Sequence, residues 1–171
     1  MKQTVRIIVT GHDDAAVKAF IGMLSDVEVG VQERKVPNPL SATREEAILP
    51  VDAGRAERED LIVQMHGFTA LKRYDYVWAT LLRDAGGVLV LLDAADDEAV
   101  DNMRRLLRLF PLLECTNCVV GVYAPFAVDE EKLAETRERL VTSYPLVRCD
   151  PADGDSVEGV LQALVSRIPA P

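Results

Sequence analysis

The run VRIIVTGHDDAAVKAF, Val5–Phe20, constrains this chain more than any other stretch. A β-branched segment, Val5–Thr10, stops at Gly11, and apolar residues then recur at helical spacing: Ala15, Val17, Phe20, Ile21 and Leu24. Strand, glycine turn and helix in that order form the frame of a phosphate-binding loop in a parallel α/β fold. Such a loop holds phosphate oxygens on the free N–H groups of the helix start and reaches the outer phosphates with a lysine. Its template is G-x-x-x-x-G-K-S/T. Laid on Gly11, the template asks for Gly, Lys and Ser/Thr where this chain carries Ala16, Val17 and Lys18. The frame is present without its chemistry.

A chain of 171 residues reads as one domain spanning 1–171, large enough to bury roughly 70% of the surface its unfolded form exposes. Its formal net charge of −9 argues against nucleic acid or an anionic membrane as partner, since both reward clustered Lys and Arg. Apolar runs stay below the roughly 18 residues of a membrane helix, and no signal-peptide pattern opens the chain, so a cytoplasmic location is expected. Cys115 and Cys118 form a C-x-x-C pair, but no second pair or H-x-x-x-H completes a zinc set. Cys118 leads into the apolar run Val119–Val122, which fits two inert thiols at a helix–strand junction better than a redox motif.

Taken in order, the first helix is expected to close near Asp26. Val27–Glu46, with Pro37 and Pro39, reads as a long surface loop that leaves room for a short edge strand. Ala47–Ala53 and Leu61–Met65 read as two strands, joined through Gly54–Asp60 into an antiparallel hairpin. An aromatic segment follows and leads into a short helix through Leu82. Val88–Leu92 is unbroken and apolar, as a central parallel strand covered on both faces should be. Asp96–Phe110 is an amphipathic helix, Val119–Tyr123 a buried strand and Glu130–Tyr144 a charged helix. Leu146–Cys149 is a short strand, and Ser156–Ile168 a last helix capped by Asp155. The sum is an α/β fold: about six strands, mostly parallel with one antiparallel hairpin, and about five flanking helices.

These segments together resemble a Ras-like small GTPase, nearest to the bacterial branch that includes the gliding-motility polarity GTPase and its relatives encoded beside roadblock-type proteins. GHDDAAVKAFI (Gly11–Ile21) stands where that branch carries GPFGAGKTTFI, and VDAGR (Val51–Arg55) where it carries MDFGR. WATLLRDAGGVLVLLDAADDEA (Trp78–Ala99) matches the helix and strand after the second switch, and CDPADGDSVEGVL (Cys149–Leu161) matches the last loop and helix. The resemblance implies a Ras-like G-domain. Carried over residue by residue, the phosphate-loop lysine becomes Val17 and the magnesium-binding hydroxyl becomes Lys18. The switch threonine falls on Ala47 or Ile48. The G-T-P-G-Q segment becomes Gln64–Phe68 and keeps only its glycine. The guanine-reading N-K-x-D becomes Tyr123, Ala124, Pro125 and Phe126. Phosphate, metal, water and base contacts are all lost while core-facing segments persist, which is the pattern of a pseudo-GTPase.

The remnant pocket is thus Gly11, His12, Asp13, Asp14, Ala16, Val17, Lys18, Tyr123 and Ala124. Asp13 and Asp14 at a helix start are favourable by roughly 0.3–1 kcal/mol each through the helix dipole, and either can cap free N–H groups. They are read as built-in anions that replace a phosphate, and no cofactor is expected. His12 and His66 fall on loops expected at the same carboxyl edge, so with Asp13 or Asp14 they outline a zinc-type set. Two loop histidines are more commonly plain polar residues, and no metal is expected. A phosphoacceptor receiver fits worse, because the hairpin breaks the βα alternation and the required lysine is absent. An unorthodox nucleotide binder or very slow GTPase using Lys18 is the remaining enzymatic alternative. Lys18 sits one position beyond the needed lysine, about 100° further round the helix.

Without chemistry, the working surface is expected at the former switch regions. Phe68, Tyr74, Tyr76 and Trp78 place four of the chain's nine aromatics within eleven residues, enough for a hot-spot patch. Trp78 is expected buried, with Phe68, Tyr74 and Tyr76 partly exposed. The resemblance implies a protein partner, either a roadblock-type dimer or a true GTPase of the same family.

Overall fold

The structure, a computed structural model, describes residues 1–37 and 46–169. Residues 38–45, which include Pro39 of the expected surface loop, lie outside the described residues. The elements are β1 (Gln3–Gly11), α1 (Asp14–Leu24), β2 (Gly30–Pro37), β3 (Glu46–Glu57) and β4 (Leu61–Thr69). A 3-10 helix, Lys72–Val77, then runs into α2 (Trp78–Arg83). The chain continues through β5 (Gly87–Asp93), α3 (Asp97–Leu112), β6 (Cys118–Tyr123), α4 (Glu130–Leu140), β7 (Leu146–Arg148) and α5 (Gly154–Val165).

The fold is α/β, built on one seven-stranded sheet in the order β2-β3-β4-β1-β5-β6-β7, with five α-helices among the described residues. Strands β4, β1, β5, β6 and β7 run parallel, while β3 lies antiparallel to both β4 and β2. The expected hairpin is therefore present as β3–β4. The count of six falls one short because Gly30–Pro37, read as loop, forms the edge strand β2. Its residues are almost all exposed, so it lacks the apolar alternation by which strands are recognised.

Two apolar layers cover the sheet. On one face Ile7, Val9, Leu89 and Leu91 pack against Val17, Phe20 and Ile21 of α1 and Val157, Val160 and Leu164 of α5. On the other, Ile8, Val88, Val90 and Leu92 pack against Trp78 and Leu81 of α2 and Val100, Met103, Leu106 and Phe110 of α3. Alternate residues of β5 thus feed both layers, as its unbroken apolar run implies. Trp78 is fully buried, edge-on to Phe68 at 5.3 Å and to Phe110 at 4.9 Å between ring centroids.

Aspartate starts four of the five helices: Asp13, Asp96, Asp129 and Asp153 each accept backbone N–H groups of the first turn. Helix α5 begins two residues earlier than expected because the cap is Asp153, which accepts from Asp155 N at 3.0 Å. Helix α4 stops at Leu140 rather than Tyr144, where Val141 turns left-handed at φ 51°. Helix α1 ends at Leu24 rather than Asp26, since the Ser25 hydroxyl donates to Val27 O at 2.7 Å and accepts from Arg55 N at 3.0 Å. That junction ties α1 to β3.

The α1–β3 contact leaves no space for a side chain at Gly54. A Cβ there would stand 2.5 Å from Ile21 Cγ2 and 3.1 Å from Ser25 Oγ. Gly54→Ala should therefore destabilise the protein by about 1–3 kcal/mol through overpacking. Gly159, inside α5, has nothing within 4 Å of the same position, so Gly159→Ala should stabilise by roughly 0.5–1 kcal/mol. Urea unfolding of the two variants checks both signs, and a neutral Gly54→Ala would refute the packing account.

Candidate functional site

The strand–glycine–helix unit ends at the carboxyl edge of the parallel strands. Gly11 is the last residue of β1, opposite Leu91 of β5 and Thr69 of β4. It serves space rather than turn geometry: a Cβ would lie 2.9 Å from Leu91 O and 3.3 Å from Val17 Cγ2. The chain then turns through His12 and Asp13 into α1. The Asp13 carboxylate accepts from Ala15 N at 2.9 Å and Ala16 N at 3.4 Å. Asp14 follows as an exposed acid in the first helical turn.

Val17 is only 2% exposed and packs into the α1 layer, while Ala16 is half-buried. Lys18 stands exposed on the outer side of the helix. The lysine position of the phosphate-loop template therefore belongs to the core, and the lysine actually present faces away from it.

Across the edge, Tyr123 closes β6 and Ala124 follows it, both half-buried. The Tyr123 hydroxyl is pushed up to about 12, first by burial and then by neighbouring acidic groups, Asp13 and Asp93 foremost. Three carboxylates, Asp13, Asp93 and Asp96, thus lie near this edge. A cavity of about 530 Å3 lies beyond, bordered by Ala124, Pro125, Phe126, Cys149 and Asp150. Ser156 Oγ accepts from Asp150 N there at 2.8 Å.

The two histidines do not meet. Asn102 Nδ2 contacts His12 Nδ1 at 3.1 Å, while Asn102 Oδ1 accepts from Arg105 Nη2 at 2.7 Å, which orients the amide and makes His12 Nδ1 the acceptor. Arg105 also donates to Asp75 and to Ala70 O, so the β1–α1 turn is linked through α3 to the 3-10 helix. His66 sits not on a loop but inside β4, opposite Ile8, because the parallel pairing with β1 runs on to Gly11 and Thr69. It is 4% exposed. His12 comes four residues after Ile8, which separates the rings' strand positions by roughly 13 Å. Among the described residues no three His, Cys, Asp or Glu side chains are grouped to hold a metal ion. The zinc-type set is overturned by strand register.

His66 belongs instead to a charged cluster that sequence reading missed. Arg34 of β2 donates to His66 Nδ1 at 3.2 Å and to Asp84 Oδ1 at 3.1 Å, and Arg6 of β1 pairs with the same Asp84. The signal was Arg34 itself, two residues before the buried Val36 and so on the same side of β2. Burial, reinforced by the Arg6 and Arg34 charges, holds His66 neutral down to about 4, with Asp84 opposing the shift.

The expected aromatic surface is partly corrected. Phe68 is 3% exposed and belongs to the core, where it meets Trp78 and stands edge-on to Tyr74 at 5.9 Å. Tyr74 is half-buried beneath the Arg73 guanidinium, and Tyr76 is 42% exposed. Burial pushes the Cys115 and Cys149 thiols up to about 11 and raises that of Cys118 as well, which fits inert thiols. No helix of the described residues is long and apolar enough to cross a membrane. Comparison with known proteins finds no family model and no curated protein that matches this chain.

A histidine whose folded pKa of about 4 lies below its unfolded 6.5 leaves the unfolded chain holding more protons between those values. Its contribution is complete above pH 6.5 and declines as pH falls towards 4, by at most about 1.4 kcal/mol per pH unit. Urea unfolding between pH 4 and 7 should show a steeper decline for the natural chain than for His66→Gln. Parallel curves would place the acid sensitivity elsewhere.

Proposed function

We propose that this chain is a degenerate Ras-like G-domain of the gliding-motility and roadblock-associated branch. On this reading it is a non-enzymatic pseudo-GTPase that works as a protein-interaction or regulatory module without guanine nucleotide. The observation that carries the reading is Asp13, whose carboxylate occupies the first-turn N–H groups on which a phosphate-binding loop depends. Burial of Val17, outward placement of Lys18 and the acidic surroundings of Tyr123 support it independently. A nucleotide phosphate at this edge would meet the like charge of Asp13, Asp93 and Asp96. The partner is a protein, either roadblock-type or a related true GTPase. Its footprint includes Tyr74 and Tyr76, with Phe68 as their buried support.

Calorimetric titration of chelator-treated protein with GDP and GTP plus magnesium, alongside thermal shift, tests this directly. A ligand at 100 times its Kd stabilises by about 2.7 kcal/mol, so binding would register in both. The expected result is no heat and no shift; saturable heat with GTP would defeat the proposal. Replacing Asp13 and Asp14 by Gly, with Ala16→Gly, Val17→Lys and Lys18→Thr, should bring measurable nucleotide affinity to the same assay. Continued silence of that variant would show that built-in carboxylates are not what closes the pocket.

A further inference from the structure

Strand β3 has two halves with different partners. Asp52–Glu57 pair with β4, whereas among the described residues Glu46–Val51 pair with β2 alone. The last rung to β4 is Asp52 opposite Gly67, yet β4 continues beside β1 through Phe68 and Thr69. Continued pairing would set Val51 and Pro50 opposite those two residues. Pro50 has no N–H to give a ladder on either side, and the strands part at that point. The β2–β3 ribbon leaves the sheet here, and a wedge opens in what would otherwise be a continuous layer.

The wedge is a cleft of about 310 Å3. Buried Val17, Val51, Gly67 and Phe68 make its floor, with the half-buried Leu49 and Tyr74 lining it further out. Exposed Asp14 and half-buried Asp52 bring carboxylates to its mouth, and none of its described lining residues is a lysine or arginine. Val31, which is 68% exposed and paired opposite Asp52, extends the apolar surface outward. Two strand edges that have parted, an apolar floor and an acidic mouth define one kind of occupant.

We propose that this cleft docks an extended segment of a partner protein carrying one large apolar side chain flanked by Lys or Arg. The apolar side chain fills the floor, as anchors do at interface hot spots. The extended backbone runs along the edge left open at Leu49–Val51, the main-chain recognition of strand addition. The basic flanks meet Asp14 and Asp52, which set specificity and on-rate more than affinity. The proposal deepens the interaction-module reading, on which it rests, by naming the chemistry of the partner.

The test uses the full chain and three synthetic peptides: Phe flanked by Lys, the same with Glu flanks, and the Lys-flanked form with Ser for Phe. NMR titration should move the amides of Val51, Gly67 and Thr69 with the first peptide. The Glu-flanked and Ser-centred peptides should bind at least about tenfold more weakly, a difference of ~1.4 kcal/mol. Asp52→Asn should narrow the Lys-over-Glu preference while leaving the preference for Phe over Ser. Equal binding of Lys- and Glu-flanked peptides, shifts confined to other amides, or no shifts would overturn the proposal. So would concentration-dependent shifts of the same amides without peptide, which would make the occupant a second copy of the chain. Nucleotide titration separates the two readings: silence to both GTP and peptide sinks only the cleft, whereas GTP binding sinks the module itself.

Discussion

Helix α1 lies so close to the sheet that two positions beneath it have no space for a methyl group. At Gly54 and Gly67 an added Cβ would come within 2.5 Å of Ile21 Cγ2 and 2.9 Å of Ile21 Cδ1 respectively, and at Gly11 it would stand 3.3 Å from Val17 Cγ2 as well as 2.9 Å from Leu91 O of β5. Much of the remaining architecture depends on this approach. It turns Val17 into the core, where a long cation would have to displace packed side chains. It also fixes the helix start at the end of β1, so the free N–H groups there need a partner, and Asp13 supplies one from within the chain. The start of α1 is thereby capped from within the chain.

The same economy recurs at the other helix starts, where Asp96, Asp129 and Asp153 serve as caps. An acidic chain places part of its negative charge where helix dipoles welcome it. Two of those caps, Asp13 and Asp96, lie near Tyr123 together with Asp93 at the end of β5. On the β2–β4 side of the sheet Arg6 and Arg34 share Asp84 beside His66, which burial first and then these two charges keep neutral. That cluster fastens the edge strand β2 to the body of the molecule near the point where the ribbon departs from β4. The fastening and the parting of the strands are thus features of one region. It carries both Tyr74 and the apolar cleft.

Much of this was legible before any coordinates. Val5–Phe20, Val88–Leu92 and Asp96–Phe110 declare themselves by period, and a cap by Asp13 or Asp14 follows from position, which the structure gives to Asp13. The aromatic segment shows where that legibility ends. Phe68, Tyr74, Tyr76 and Trp78 are equally aromatic, yet Phe68 and Trp78 form a buried pillar with Phe110 while Tyr76 faces solvent. Their fates differ because Phe110, forty-odd residues later, packs against one side of the group and not the other. Strand β2 was legible only as room for a short edge strand within a loop, for the converse reason. Its residues are polar and exposed, and only its pairing with β3 makes it a strand.

Sequence alone determined the α/β class, the order of the main elements, the capped start of α1 and the missing cation of its phosphate-loop frame. These are local properties, written in apolar period, in Asp before a helix and in residue identity at fixed spacing. Tertiary structure alone decided that His12 and His66 stand apart, that Phe68 is core, that β2 exists and that β3 opens away from β4 at Pro50. Each of those depends on strand register and on which distant surfaces meet. A strand does not carry its partner in its own sequence, so contacts made across the sheet become readable only once the sheet is assembled.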